Sequence, residues 1–203
     1  MKNILFVCIG LFFTVGTISA QGYKVGDVAR DFSLKNVDGK YVSLKDYGND
    51  ASGFIITFTC NHCPYSKAYE DRIIALDKKF AGLGYPVIAI NPNDPADYPE
   101  DSFDNMVQRA KEKNYTFPYL IDETQEIART YGATRTPHMY VVQKTGKGLE
   151  VVYIGAIDDN TQNPEAAKNK YVEAAIEAII KGQKPAVSFT KAIGCSIKWK
   201  KSS

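Results

Sequence analysis

The sequence predicts an α/β domain in which a central mixed sheet carries helices on both faces. Two runs, Gly53-Phe54-Ile55-Ile56-Thr57-Phe58-Thr59 and Pro86-Val87-Ile88-Ala89-Ile90, are apolar or β-branched at nearly every position, as in strands buried on both sides. Between them Ala68, Ile73, Ile74, Leu76 and Phe80 recur at helical spacing and define an amphipathic helix. The order β-α-β-α-β-β-α that results has crossovers long enough for parallel pairing.

In chain order, Phe32-Ser33-Leu34 and Tyr41-Val42-Ser43-Leu44 alternate around an Asn36-Val37-Asp38-Gly39 turn, which predicts an N-terminal hairpin. The first core strand at 53–59 leads into Cys60-Asn61-His62-Cys63-Pro64, and the following helix stops at Gly82 and Gly84. After the second strand a proline-containing loop over 91–102 precedes a helix near 103–113. An extended piece at 117–121 and a short helix at 123–131 follow. Thr136-Pro137 opens a third core strand to Gln143, a turn at 144–148 returns the chain as a strand over 149–154, and the last helix is expected over 164–181. Its inward residues would be Tyr171, Ala175, Ile176 and Ile179. The chain has no internal repeat and no linker that would divide it.

Residues 1–20 have the layout of a secretory leader: Lys2, an apolar stretch from Ile4, then small residues ending at Ala20. Cleavage near Ala20 would give an exported, periplasmic or secreted protein; an uncut leader would serve as a membrane anchor. Bulky Leu5-Phe6-Val7 argues against a lipid anchor at Cys8. The expected organisation is a leader at 1–20, one domain at 21–185 and a basic tail at 186–203. With 44% hydrophobic and 24% charged residues the chain has the composition of a globular domain. A net charge of +2 excludes the broad basic surface of a nucleic-acid binder.

Beyond the leader the cysteines are Cys60, Cys63 and Cys195. An odd number with two at C-x-x-C spacing suggests a reactive pair plus one, rather than a structural disulfide framework. Cys60 is placed where a buried strand ends and a helix begins, so free backbone N–H groups and the helix dipole should favour its thiolate. Cys63, expected one turn inside the helix, would attack a mixed disulfide formed by Cys60, and His62 would add positive charge beside the thiolate. An inert disulfide and half of a zinc site are the competing readings. Zinc lacks a second close ligand pair, since only Cys195, His62 and His138 remain, so neither a metal nor an organic cofactor is expected.

Thr136-Pro137, following the cysteines and opening a core strand, resembles the proline site of the thioredoxin superfamily. The resemblance implies a thioredoxin-like fold, a cis Pro137 facing the C-x-x-C, and a Thr136 backbone that pairs with a substrate strand. The stretch from Val25 to Leu34, the Asp38-Gly39-Lys40 turn, Cys60-Asn61-His62-Cys63-Pro64-Tyr65, Tyr98-Pro99-Glu100-Asp101-Ser102, Phe117-Pro118-Tyr119-Leu120 and Gly194-Cys195-Ser196-Ile197-Lys198-Trp199 are similar to the redoxin branch. That branch comprises peroxiredoxins and TlpA-like proteins, with an N-terminal β-hairpin and a redoxin-type insertion. The chain departs from thioredoxins in having Thr59 before the first cysteine and Asn61-His62 inside the pair. It has Phe54 near where thioredoxin buries a carboxylate; Asp71 or Glu70, on the helix after Cys63, could substitute, but both are expected to be exposed helix charges.

Three functions follow. The first is a thiol:disulfide oxidoreductase with Cys60 as exposed nucleophile, Cys63 resolving, His62 tuning, and Thr136-Pro137 orienting protein or small-molecule disulfides, supplied by a thiol electron donor or acceptor. The second is a peroxidase in which Thr57, three residues before Cys60, and Arg135 would act on peroxide; the proline of that motif is replaced by Gly53. The third is a non-catalytic binding module with a permanent Cys60–Cys63 disulfide. Cys195 is either a third redox thiol or part of a packed edge strand in which Ile193, Cys195, Ile197 and Trp199 alternate. Asp94, Asp97, Glu100, Asp101 and Asp104 are expected to form a solvated loop at the rim.

Overall fold

The computed structural model describes residues 22–201, so the leader lies outside the described residues. Among them, no helix is long and apolar enough to cross a membrane.

The chain opens with β1 (Val28–Ala29) and the hairpin of β2 (Ser33–Asn36) and β3 (Tyr41–Ser43), whose strands pair around the Asp38-Gly39 turn. The first core strand is β4 (Gly53–Phe58), followed by α1 (Pro64–Phe80), β5 (Val87–Asn91), α2 (Phe103–Glu112) and β6 (Tyr119–Ile121). Next come α3 (Glu126–Tyr131), β7 (Arg135–Thr136), β8 (His138–Thr145), β9 (Gly148–Gly155), α4 (Tyr171–Ile180) and, in the tail, β10 (Cys195–Ser196). The main sheet has the order β1-β9-β8-β4-β5-β6-β2-β3, with β7 and β10 as a separate ribbon. β4, β5 and β6 are parallel, as the helical crossovers require, and β8 and β9 run antiparallel to close the other side.

Each core strand serves two layers. Ile55, Val87, Ala89, Met139 and Val141 face α1 and α4, meeting Tyr69, Ile73 and Ile176. Phe54, Ile56, Phe58, Ile88 and Ile90 face α3 and the hairpin, meeting Ile127, Tyr131 and Leu44. Side chains alternate along a strand, so a strand apolar at both parities must be covered on both sides. Gly53 starts β4 where a Cβ would lie 2.2 Å from the Val142 carbonyl oxygen. The close approach of β8 therefore excludes any side chain there, including the proline of the peroxidase motif.

Two boundaries differ from expectation. The last helix does not begin at Pro164: residues 164–166 form a separate 3-10 turn capped by Asn163, and α4 starts at Tyr171. Gln125, with φ 60, is the N-cap of α3, which delays that helix to Glu126. The burial pattern of α4 agrees with its sequence, with Val172, Ala175, Ile176 and Ile179 inward.

Candidate active site

β4 delivers its C-terminal end to Cys60, and α1 begins four residues later. Cys63 is the N-cap of α1 rather than a residue within it, and Pro64 takes the first helical position, where no N–H is required. Cys60, three residues before that cap, is only 5% exposed, not the exposed nucleophile expected. Its Sγ lies 3.2 Å from Thr136 Oγ1, 3.7 Å from Ser66 Oγ and 3.7 Å from His62 Nδ1. Burial pushes the Cys60 thiol up, and the Asp101 charge adds to the rise; bonds from Thr136, Ser66 and the Cys63 backbone oppose it. The thiol is thus raised in this state, where the helix terminus was expected to lower it, and desolvation is the largest cause.

The cysteine partnership also differs. Cys63 is bonded to Cys195, with Cα atoms 6.2 Å apart, and Cys60 is a free thiol. The sequence reading paired Cys60 with Cys63 on spacing alone. What brings Cys195 in is β10, which runs antiparallel to β7 with Cys195 opposite Thr136 and Ser196 opposite Arg135. Thr136 thereby touches both sulfur centres, Cys60 through its hydroxyl and Cys63 through its carbonyl at 3.3 Å. The Thr136–Pro137 peptide is cis, as the resemblance implied.

Asp101 organises the loop between the cysteines. The rim loop was expected to be solvated, yet Asp101 is 0% exposed. Its Oδ1 accepts the backbone N–H groups of Asn61 at 2.7 Å and His62 at 3.1 Å. Its Oδ2 meets His62 Nδ1 at 2.5 Å and accepts from Asn93 Nδ2 at 2.8 Å. His62 is held from the other side by the Tyr98 ring, stacked at 4.2 Å. Asn61 is fixed in turn, donating to the Glu100 carbonyl and accepting from the Tyr119 hydroxyl. Sequence reasoning overlooked Asp101, Asn93, Tyr98 and Ser66 as site residues. The Tyr98-to-Ser102 stretch had carried part of the resemblance, and that was the one available signal.

The remaining candidates separate. Thr57 is buried with an Oγ1 that has no hydrogen-bond partner among the described residues. Arg135 donates to Ser196 Oγ at 2.9 Å, so its guanidinium is engaged by the tail. Glu70 is not the exposed charge expected: it is buried under α2 and accepts from Arg109 Nε and Nη2 and from the Tyr115 hydroxyl, whereas Asp71 is exposed. Of the tail residues, Ile197 is buried in the core, while Ile193 and Trp199 stay accessible, the latter beneath Arg129. Cys60 Sγ, His62 Nδ1 and an Asp101 oxygen lie within 4.8 Å of one another, which matches a metal-ligand triad in type. Asp101 already accepts four hydrogen bonds there, so the set forms a complete polar network on its own. A pocket of about 510 Å³ is lined by Pro64, Tyr65 and Ile193, residues that lie next to or near Cys63 and Cys195 in the chain.

Residues 25–150 match the model of the AhpC/TSA family. The chain belongs to the AhpC/TSA family. The matched segment runs from the N-terminal hairpin through Cys60, Asp101 and Pro137 into β9. The chain is 26% identical over 164 residues to thiol-disulfide oxidoreductase ResA of Bacillus thuringiensis subsp. konkukian, covering 74% of this chain and 88% of that protein. Among solved structures, an uncharacterized conserved protein from Geobacillus kaustophilus is similar at a TM-score of 0.81 and 39% identity, over 90% of this chain and 96% of that one. The pneumococcal exposed lipoprotein thioredoxin of Streptococcus pneumoniae shares the fold, at a TM-score of 0.54 and 23% identity over 75% of this chain and 99% of that one. The thioredoxin-like α/β architecture is thus common to this AhpC/TSA member and its structural neighbours.

Proposed function

We propose that the protein is an exported thiol:disulfide oxidoreductase in which Cys60 attacks a disulfide of a protein or small-molecule substrate and Cys63 resolves the mixed disulfide. The observation that carries this reading is a free thiol and a disulfide gathered around one residue, Thr136. The ResA relatives support it by their activity.

The chemistry requires only sulfur. The Cys60 thiolate displaces R′S⁻ from R–S–S–R′, and the leaving thiolate takes a proton from solvent. A reduced Cys63 then displaces RS⁻ from the Cys60 sulfur. His62, oriented by Asp101 and Tyr98, brings an imidazole Nδ1 to 3.7 Å from Sγ; when protonated it favours the thiolate. Thr136 Oγ1 is placed to donate to that same sulfur.

Cys60→Ser is expected to abolish exchange with glutathione disulfide, while Cys63→Ser accumulates a mixed disulfide on Cys60. Full activity in Cys60→Ser would overturn the assignment. A second reading, peroxide reduction by Cys60, is favoured by one observation. Thr57 keeps an unpartnered hydroxyl three residues before the cysteine, in a member of the AhpC/TSA family. In that chemistry Cys60 passes through a sulfenic acid, and Arg135 must first leave Ser196.

A further inference from the structure

We propose that the C-terminal tail is an internal occupant of the substrate edge, and that Cys195 is the third thiol of the exchange site, taking the disulfide over from Cys60 and closing the tail across it. This rests on the exchange reading above and extends it to the tail.

The placement of β10 carries the inference. A strand edge left open binds extended peptides by main-chain pairing; here the edge of β7 is filled by the chain itself, with Cys195 opposite Thr136. A cysteine at that register meets Cys63 directly, as the Cys63–Cys195 bond demonstrates. The tail follows the edge closely: a Cβ at Gly194 would lie 2.2 Å from the Thr136 carbonyl oxygen.

Beyond the cysteine the tail is held by the buried side chain of Ile197 and by hydrogen bonds that can open and reclose. Lys198 N–H donates to Asn93 Oδ1 at 2.9 Å, and the Lys198 carbonyl accepts from the Asp94 N–H and from Gln125 Nε2. Asn93 also donates to Asp101, and Lys198 Nζ sits over the Tyr98 ring that stacks on His62. Closing the tail therefore acts on the same residues that orient His62 beside Cys60.

The sulfur balance is complete. In the open, reduced form all three cysteines are thiols. Cys60 displaces R′S⁻ from the substrate disulfide, and Cys63 displaces RS⁻ to give a Cys60–Cys63 disulfide. The Cys195 thiolate then attacks the Cys63 sulfur and releases Cys60, which is protonated. The net result is two substrate thiols from one disulfide, with the two electrons taken from Cys63 and Cys195, now joined. An external dithiol restores the open form by reducing that bond. The order of bonding in the structure, with Cys60 free and Cys63–Cys195 formed, is the end state of this sequence.

The test is disulfide mapping of the full chain. Fully reduced protein is mixed with one equivalent of glutathione disulfide, quenched with N-ethylmaleimide at intervals, digested and read by mass. The expected course is glutathione or Cys63 on Cys60 first, then a Cys63–Cys195 disulfide with alkylated Cys60. A Cys60→Ser variant should form Cys63–Cys195 at least about tenfold more slowly, because in the relay the disulfide reaches Cys63 only through Cys60. In Gly194→Val, which keeps all three thiols but pushes the tail off Thr136, the product should stop at Cys60–Cys63. An end product of Cys60–Cys63 with free Cys195 in the unmodified protein would overturn the relay and leave exchange at Cys60 standing. Formation of Cys63–Cys195 at an unchanged rate in Cys60→Ser would also overturn it. No reaction at Cys60 at all would overturn both.

Discussion

Asp101 is the sharpest place to perturb this site, because one buried carboxylate holds the inter-cysteine loop, His62 and Asn93 together. Asp101→Asn keeps the size and one acceptor oxygen, enough for the two main-chain N–H groups. It removes the charge and turns the second oxygen into a donor facing the Asn93 amide and His62 Nδ1. Each hydrogen bond to a charged acceptor contributes about 1.5–3 kcal/mol, so losing two predicts about 3 kcal/mol of destabilisation. That is a large share of the roughly 5–15 kcal/mol that holds a typical domain folded. Urea unfolding at pH 7 measures it. The same change has an electrostatic consequence of opposite character. The Asp101 charge is among the causes that raise the Cys60 thiol, so its removal should lower that thiol and speed its alkylation at neutral pH. Making the comparison in a His62→Ala background keeps the imidazole charge out of the result. A loss of stability within the roughly 0–1 kcal/mol of an exposed ion pair would refute the assignment of Asp101 as the organising group. An unchanged or raised Cys60 titration would refute its electrostatic role.

Other outcomes follow from the same structure. His138 is buried and its pKa is brought down to about 4 by desolvation, from an ordinary 6.5. Folding therefore favours the neutral ring, and the stability this preserves above pH 6.5 falls by about 3 kcal/mol as the pH drops to 4; His138→Gln should flatten that limb in urea titrations. For Glu70, burial pushes the carboxyl up, but bonds from Arg109, Tyr115 and Lys113 more than reverse this and hold it below its ordinary 4.5. Its contribution is present above pH 4.5 and lost as the pH falls through the lowered folded value, so Glu70→Gln should cost stability at pH 7 and progressively less in acid. Reduced protein should lose thiols to hydrogen peroxide no faster than free cysteine if exchange is the principal chemistry. A rate far above it, with a sulfenic acid on Cys60 trapped by mass spectrometry, would promote Thr57 to a catalytic residue.

Most of the fold was legible because its strongest signals are local. β4 and β5 are apolar at both parities and end up covered on both faces, and the helical spacing from Ala68 to Phe80 matches α1 closely. The misplaced ends have particular causes. Pro164 opens a helical turn, but the turn is a 3-10 piece capped by Asn163, and nothing in the local pattern shows that the α-helix waits until Tyr171. Gln125 caps α3 from a left-handed conformation, where glycine or asparagine would have announced it.

The site divides along the same line between local and distant. Cys60, His62 and Cys63 lie on one loop and were readable from spacing, but which two sulfurs join is decided across 132 residues by the pairing of β10 with β7. Asp101 was hidden for a related reason. An acidic loop with three prolines reads as solvent-facing, and what turns Asp101 inward is a set of donors, the Asn61 and His62 backbone and the Asn93 amide, that no local pattern displays. These two distant contributions meet at Asn93, which donates to Asp101 and accepts from the Lys198 N–H of the tail. The loop that orients His62 and the tail that carries Cys195 therefore share a side chain. Any change in the bonding of Cys195 that lifts the tail must alter the hydrogen-bonding of the residue that steadies Asp101. Coupling of this kind makes the odd cysteine count informative, because the third thiol is tied both covalently and through hydrogen bonds to the loop that holds the first two.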